Sequence, residues 1–505
     1  MRGVAAGLTF LAAGAAAAPA FQPVPLPVAH RYTGGWEHFV GGGVAVFDCD
    51  GDGLPEFLAA GGASPARLYL NRGGMDFAAG AFPEITGVTG VYPLDIDGDG
   101  PLDLVLLRVG PNIVLRGHGD CRFDGATQEW GFAPGTAWST AFSATWEPGA
   151  AWPTLAIGNY VDRTDPDGPF EACADNMLHR PAPGGGFAPP QPLRPGYCAL
   201  SMLFSDWARI GRADLRISND RHYYVRGGAE QMWRLDPLGL LGELDGFPEI
   251  SIWGMGIASR DLTGDGRPEV FLTSMGDQLL QLAGPDGYTP APYAQGTYAQ
   301  RPHTGDDGRP STGWHAEFGD IDNDGRADLF IAKGNVDQMP GNAMEDPNNL
   351  LMQMPDGTFA EAAAEAGIAS THRGRGGALA DLDGDGRLDL IVVNRRAPLE
   401  VFRNVTARSG AWVAVELRGG PGNTRAVGAW VALRADGRVQ SQEVTVGGGH
   451  AGGQAGPLHF GLGAANTAEI RVTWPDGTAS DWTALPVNAR VSVRRGGGAA
   501  LDLSE

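Results

Sequence analysis

One nine-residue phrase constrains this chain more than anything else in it. In its cleanest copy, Asp381-Leu382-Asp383-Gly384-Asp385-Gly386-Arg387-Leu388-Asp389, carboxylates stand at positions 1, 3, 5 and 9 and glycine at position 6. A hard cation of calcium's size takes six to eight oxygens at roughly 2.3–2.6 Å, and a tight turn aims alternate carboxylates inward while position 7 offers its backbone carbonyl. Glycine at position 6 permits the reversal. The phrase returns at Asp48, Asp50, Asp52, Leu54 and Glu56, and at Asp95, Asp97, Asp99, Pro101 and Asp103. It returns again at Asp261, Thr263, Asp265, Arg267 and Glu269, and at Asp320, Asp322, Asp324, Arg326 and Asp328. A single copy is compatible with a solvated acidic turn; five copies that all keep the glycine read as a repeat. Up to five calcium ions are therefore the expected cofactors, with Arg387 as the position-7 residue of the cleanest copy. Thr263 leaves its loop one charge short, so that site is expected to bind most weakly.

Apolar runs flank each phrase, such as Gly43-Val44-Ala45-Val46-Phe47 before one and Leu390-Ile391-Val392-Val393 after another, so each loop joins two strands of a hairpin. Two degenerate copies fill the gap between 95 and 261, at Trp146 to Thr154 and at Asp206 to Asp214. Seven repeats result, each with room for four short strands, and four-stranded units arranged radially protect their edges as a propeller. The expected fold is all-β: a seven-bladed β-propeller over 36–404, followed over 405–505 by a small β-sandwich in which short alternating runs are separated by glycine-rich turns.

Aspartate plus glutamate number 59 against 37 lysines and arginines, for a formal charge of −22. No basic stripe exists to neutralise phosphates, which argues against nucleic acid as a partner. Residues 1–20 carry Arg2, an uncharged run from Val4 to Ala18 and an Ala18-Pro19-Ala20 cleavage pattern, which reads as a signal peptide; 21–35 reads as a separate N-terminal segment. No later stretch is long and apolar enough to span a membrane. Export to a periplasm or the exterior follows, where calcium is plentiful and disulfides persist. Of the four cysteines, Cys173 and Cys198 are the favoured pair; a bridge between Cys49 and Cys121 would join neighbouring repeats, and spacing alone leaves the connectivity open.

These loops, each preceded by a Gly/Phe-rich strand, resemble the FG-GAP/VCBS repeats of integrin alpha chains and of the cartilage acidic protein 1 family. Gly428-Ala429-Trp430-Val431, Glu443-Val444-Thr445-Val446-Gly447-Gly448-Gly449, Phe460-Gly461-Leu462-Gly463 and Trp474-Pro475-Asp476-Gly477 resemble an ASPIC/UnbV domain. The pairing is the arrangement of cartilage acidic protein 1-like proteins. It implies an integrin-alpha-like propeller and extracellular calcium-binding modules, and names no activity.

In a propeller, six to twelve residues before each loop lies the opposite face, near the axis. Trp36, Trp138, Trp253, Trp314, His315, Arg373 and Arg375 fall there, and the connections after the second strands add Arg221 and His222. Aromatic faces and charged groups around a funnel hold a carbohydrate or an anionic ligand, so Trp36, Arg221, His222, Trp253, Trp314, His315, Arg373 and Arg375 are the expected ligand contacts. The competing reading is that these tryptophans plug the channel. No nucleophile elbow, H-E-x-x-H or Walker loop is present, so no catalytic residue is assigned. The alternative function is a polysaccharide-acting hydrolase or lyase using His222, His303, His315 or Asp337. The expected function is a secreted calcium-binding protein that adheres to a glycan or protein ligand.

Overall fold

The computed structural model describes residues 18–220, 228–298, 308–407, 409–496, 498 and 500–504. The expected signal peptide lies almost wholly outside them, and Arg221, His222 and His303 entirely so.

The strands follow from the apolar runs. The first strands of seven sheets are Val44–Phe47, Val88–Leu94, Ser139–Thr145, Ala199–Ser205, Gly254–Arg260, Gly313–Gly319 and Arg373–Ala380. Each pairs antiparallel with a second strand such as Asp389–Arg395, which is buried on both faces and is apolar at successive positions for that reason. Third strands are less completely buried, as in Arg67–Asn71, where Arg67 and Leu70 are partly exposed and Leu68, Tyr69 and Asn71 are buried. Neighbouring first strands pack against one another in sequence order, and the seventh packs back on the first, which closes a ring.

The ring is sealed by the start of the chain. Phe21–Val24 pairs antiparallel with Glu400–Asn404 as the outermost strand of the seventh sheet, from Phe21 opposite Asn404 to Val24 opposite Val401. Further along, His30 reaches the Ala60 carbonyl (2.8 Å), and the buried Tyr32 donates its hydroxyl to Val40 O (2.7 Å). The stretch 21–35 is thus bonded into the ring rather than set apart from it. Four residues with one proline carried too little pattern to be read as a strand.

The C-terminal stretch forms two further four-stranded sheets. One contains Ala411–Arg418, Leu458–Gly463, Ala489–Arg495 and Leu501–Ser504; the other contains Trp430–Ala435, Arg438–Glu443, Ala468–Thr473 and Thr483–Leu485. Val415, Leu433, Phe460, Ile470 and Val491 fill the space between them, as in a sandwich. Two disulfides, Cys49–Cys121 and Cys173–Cys198, tie the first sheet to the second and the third to the fourth. Among the described residues no helix is long and apolar enough to cross a membrane.

Candidate functional site

Each acidic phrase is the turn between the first and second strands of its sheet, and its carboxylates divide the work by position. The position-1 carboxylate staples the turn: Asp48 accepts the N–H groups of Gly51 (2.7 Å) and Gly53 (3.0 Å), and Asp95, Asp261 and Asp381 repeat the pair. Asp320 instead takes Asp324 and Gly325. Position 9 ties the turn to the third strand. Glu56 accepts Cys49 N–H (3.0 Å) and Asn71 N–H (3.2 Å), and Asp389 accepts Leu382 N–H (2.9 Å) and Asn404 N–H (2.8 Å). Asp103, Glu269 and Asp328 do the same. Position 5 accepts the position-7 N–H: Asp52 from Leu54, Asp265 from Arg267, Asp324 from Arg326 and Asp385 from Arg387, at 2.8–3.0 Å. Pro101 has no N–H to give.

These contacts crowd negative charge. Acidic oxygens of Asp48, Asp50 and Glu56, of Asp95, Asp97 and Asp99, of Asp320, Asp322 and Asp328, and of Asp381, Asp383 and Asp385 converge within 4.8 Å. The Asp261 loop makes no such acidic triad among the described residues, Thr263 standing at its third position. Burial pushes the carboxyls of Asp103 and Asp320 up to about 8, those of Glu56 and Glu269 to about 7 and that of Asp381 to about 6. Asp99 rises to about 6 from burial and then from Asp97 and Asp95. A buried acidic cluster of this kind is relieved by protons or by a cation. Two position-3 oxygens, Oδ1 of Asp322 and of Asp383, are buried with no hydrogen-bond partner. An all-oxygen donor set with unspent buried oxygens fits a hard divalent ion. Such an ion would be held by the position 1, 3, 5 and 9 carboxylates with the carbonyls of Leu54, Pro101, Arg267, Arg326 and Arg387.

The two degenerate turns show the complementary solution. Arg212 forks onto Asp214 (2.9 and 3.0 Å) in the fourth sheet, and Arg180 pairs with Glu147 (2.7 Å) in the third. Arginines also meet the complete turns, Arg116 at Asp97 (3.0 Å) and Arg403 at Asp383 (2.7 Å), so what the degenerate turns lack is the cluster of acids.

The C-terminal sandwich sits on these turns. Arg490 donates to Gly53 O, Thr424 to the Asp95 carboxylate, and Gly410 N–H to Asp322 O (2.8 Å). Glu443 accepts Asp206 N–H (2.9 Å) and the Ser205 hydroxyl (2.5 Å), Arg209 lies 3.8 Å over Trp430, and His459 meets Asn323 Oδ1 at 2.7 Å. Trp412 packs against Gly386. A cavity of about 370 Å³ remains between sandwich and ring, with Asp48, Asp95, Asp381, Glu317 and Arg490 on its walls.

From the sandwich, Val446 to Ala455 runs into the ring's channel. It bonds Val446 to Ala144, Gly448 to Met202, Gly449 to Ile257, Ala451 to Val91 and Gly453 to Val46, and Gln454–Ala455 pairs parallel with Val46–Phe47. At the tip His450 accepts Gly41 N–H (3.2 Å), and its own N–H donates to Nδ1 of His315 (3.1 Å). That contact fixes the His315 tautomer, leaving Nε2–H to donate to Glu317 (3.2 Å). Glu317 also accepts Gln454 Nε2 (2.5 Å).

A model of the FG-GAP-like repeat matches residues 48–106 and 261–331, and a model of ASPIC and UnbV matches 419–500. The chain carries FG-GAP-like repeats and an ASPIC and UnbV domain. It is similar to cartilage acidic protein 1 of Mus musculus, 38% identical over 109 residues, and of Homo sapiens, 31% identical over 162 residues. Those alignments cover 21% and 31% of this chain but only 17% and 24% of the relatives' length. Among solved structures, BBS1N in complex with ARL6DN superposes with a TM-score of 0.46 at 10% identity, covering 77% of this chain and 98% of that one.

On the face of the FG-GAP ring away from the ASPIC and UnbV domain, the channel is closed by its own aromatics. Phe39, Trp138, Tyr160, Met255 and Trp314 form one buried cluster, with Trp138 4.9 Å from Tyr160 and 5.7 Å from Phe39. The expectation that Trp314, His315 and Arg375 offer themselves to a ligand is therefore corrected: all three are buried. Trp314 donates to Gly334 O (2.7 Å) under the Arg375 guanidinium, which spends its N–H groups on the carbonyls of Phe39, Gly374, Asn335 and Val336. Trp314 and His315 pack against His450 of the domain's insert, and nothing in the local sequence announces a segment more than a hundred residues away. Trp253 is partly buried against the same cluster, Trp36 is 47% exposed, and Arg373 keeps a quarter of its side chain in solvent. Of the groups considered for hydrolase or lyase chemistry, His315 is spent on the insert and Asp337 is held by arginines.

Proposed function

We propose that this chain is an exported, calcium-stabilised binding protein whose ligand, a glycan or a protein, docks on the ring face away from the ASPIC and UnbV domain. The observation that carries the choice of face is the docking of the domain: it covers the turn face and enters the channel, which leaves the Trp36 side, itself closed at the axis by aromatics, as the uncovered face of the ring. Calcium is the ion of choice because the donors are all oxygen and number at least five per complete turn. Each ion would cross-link a hairpin turn and neutralise crowded carboxylates, so its binding free energy becomes folding free energy. Export is supported by the two disulfides and by the apolar run Val4 to Ala18.

The test is a thermal melt of the mature protein in calcium, in chelator, and in restored calcium with soluble glycan panels. A large calcium-dependent rise, with a further rise for one glycan class, is expected. A melt indifferent to calcium would reduce the five phrases to acidic turns.

A further inference from the structure

One corner of the open face is charged against the trend of the whole molecule. The guanidiniums of Arg396, Arg373 and Arg395 approach a single oxygen, Oδ1 of Asp337, at 3.0, 3.2 and 3.8 Å. Arg375 lies buried behind them, and among the described residues Asp337 is a carboxylate whose charge bears on both Arg375 and Arg395. Arg395 is itself buried, with its Nη groups on the carbonyls of Gly34, Gly35 and His38, and its Nε has no partner. Three or four positive charges thus share one carboxylate in a chain of net charge −22. Self-repulsion of this kind persists where an anion is meant to complete the cluster.

Asp337 is well placed to stand in for that anion. It is 40% exposed and sits just beyond a fixed loop base, where Asn335 donates to the carbonyls of Met339, Asn342 and Ala343 and Arg375 holds the carbonyls of Asn335 and Val336. Arg373 and Arg396 keep 25% and 44% of their side chains in solvent, so a second carboxylate can reach them. Beside them, Arg395 and Arg396 grip the Gly34 and Gly35 carbonyls, and the next residue is the exposed Trp36, held edge-on against Trp138 at 5.1 Å. An exposed indole in the residue that follows two guanidinium-held carbonyls suits a sugar ring bearing a carboxylate: the ring stacks and the acid is gripped by Arg373 and Arg396.

Resting on the open-face reading above, we propose that this corner binds uronate residues of an acidic polysaccharide, whose carboxylate replaces Asp337 on Arg373 and Arg396 while the sugar lies on Trp36. The test is calorimetric titration at low salt with galacturonate and glucuronate hexasaccharides, a neutral galactose hexasaccharide and poly-glutamate. Binding of a uronate oligomer is expected to weaken at least tenfold in R373A and R396A and to fall with added salt. It should strengthen several-fold in D337N, which removes the internal competitor while the melting profile confirms folding. Unchanged affinity in the R373A/R396A double variant overturns the inference, as does poly-glutamate binding as tightly as the uronates. If only the neutral oligosaccharide binds and W36A abolishes it, the uronate inference fails and the open-face reading survives. If no oligomer binds in any arm, the uronate inference fails with it.

Discussion

Asp383 carries two obligations at once. One carboxylate oxygen meets Arg403 at 2.7 Å, and the other is buried with no partner. Replacing it with alanine removes an oxygen from the proposed calcium site while leaving the stapling Asp381 and the strand-linking Asp389 in place. Asp383→Ala should therefore lower the melting temperature in calcium by an amount equivalent to about 2–3 kcal/mol where calcium stands about 100-fold above its Kd, and change it little in chelator. Equal losses in both conditions would remove the metal role from that turn. The position-9 tie to the third strand lay outside the sequence reading, whereas the turn itself was legible because it is local: nine residues and one glycine specify it. The histidines were not. His450 and His459 find their partners more than a hundred residues away, and both prove to be buried interdomain contacts. Burial, then the neighbouring Arg375 and His315, holds His450 down at about 3. A histidine depressed in the folded state contributes stability above its unfolded value of about 6.5 and loses it as pH falls toward the folded value, at up to about 1.4 kcal/mol per unit. Between pH 6.5 and 5 the wild type should lose about 2 kcal/mol more than His450→Gln in urea unfolding.

At the scale of single elements, the insert Val446 to Ala455 decides most. The glycines opposite it mark its path: a Cβ on Gly43 would lie 1.7 Å from Ala451 O, and one on Gly90 2.7 Å from the same atom. Backbone has to run against backbone here. Gly43→Ala should displace the insert and destabilise the protein by about 1–3 kcal/mol or more, read as a lower urea midpoint, with faster proteolytic cleavage between Val446 and Ala455. A wild-type midpoint would mean that the insert yields freely. The run Gly447-Gly448-Gly449 read as a turn, since glycine's local meaning is conformational freedom. Its tertiary meaning, a segment thin enough to pass down a channel, depends on glycines four hundred residues earlier. The same gap explains the funnel: Trp314 stands at the expected strand position, but whether that position is open or filled is decided by the insert.

For the whole molecule, the acidic turns and the docking surface are one surface. Thr424 touches Asp95, Gly410 touches Asp322 and Arg490 touches Gly53, so an ion that orders a turn also orders the platform under the ASPIC and UnbV domain. Hydrogen exchange across Val446 to Ala455 should be slower in calcium than in chelator, by tenfold or more; equal rates would mean that docking is independent of the ions. Repeated four-stranded sheets were readable from repeat spacing and the terminal sandwich from its short alternating runs, whereas the seal of the ring was not, because a four-residue strand has meaning only beside its distant partner. That seal also sets an order of assembly. Ala20 and Thr406 meet across 386 residues, so a chain emerging N-terminus first holds its opening strand idle until the seventh sheet has been made. The insert enters as a loop with both ends anchored in the sandwich, so a ring that has already shut can still receive it. The earliest strand is thus among the last to be placed, and the final hundred residues arrive as a stopper for a vessel that is already closed.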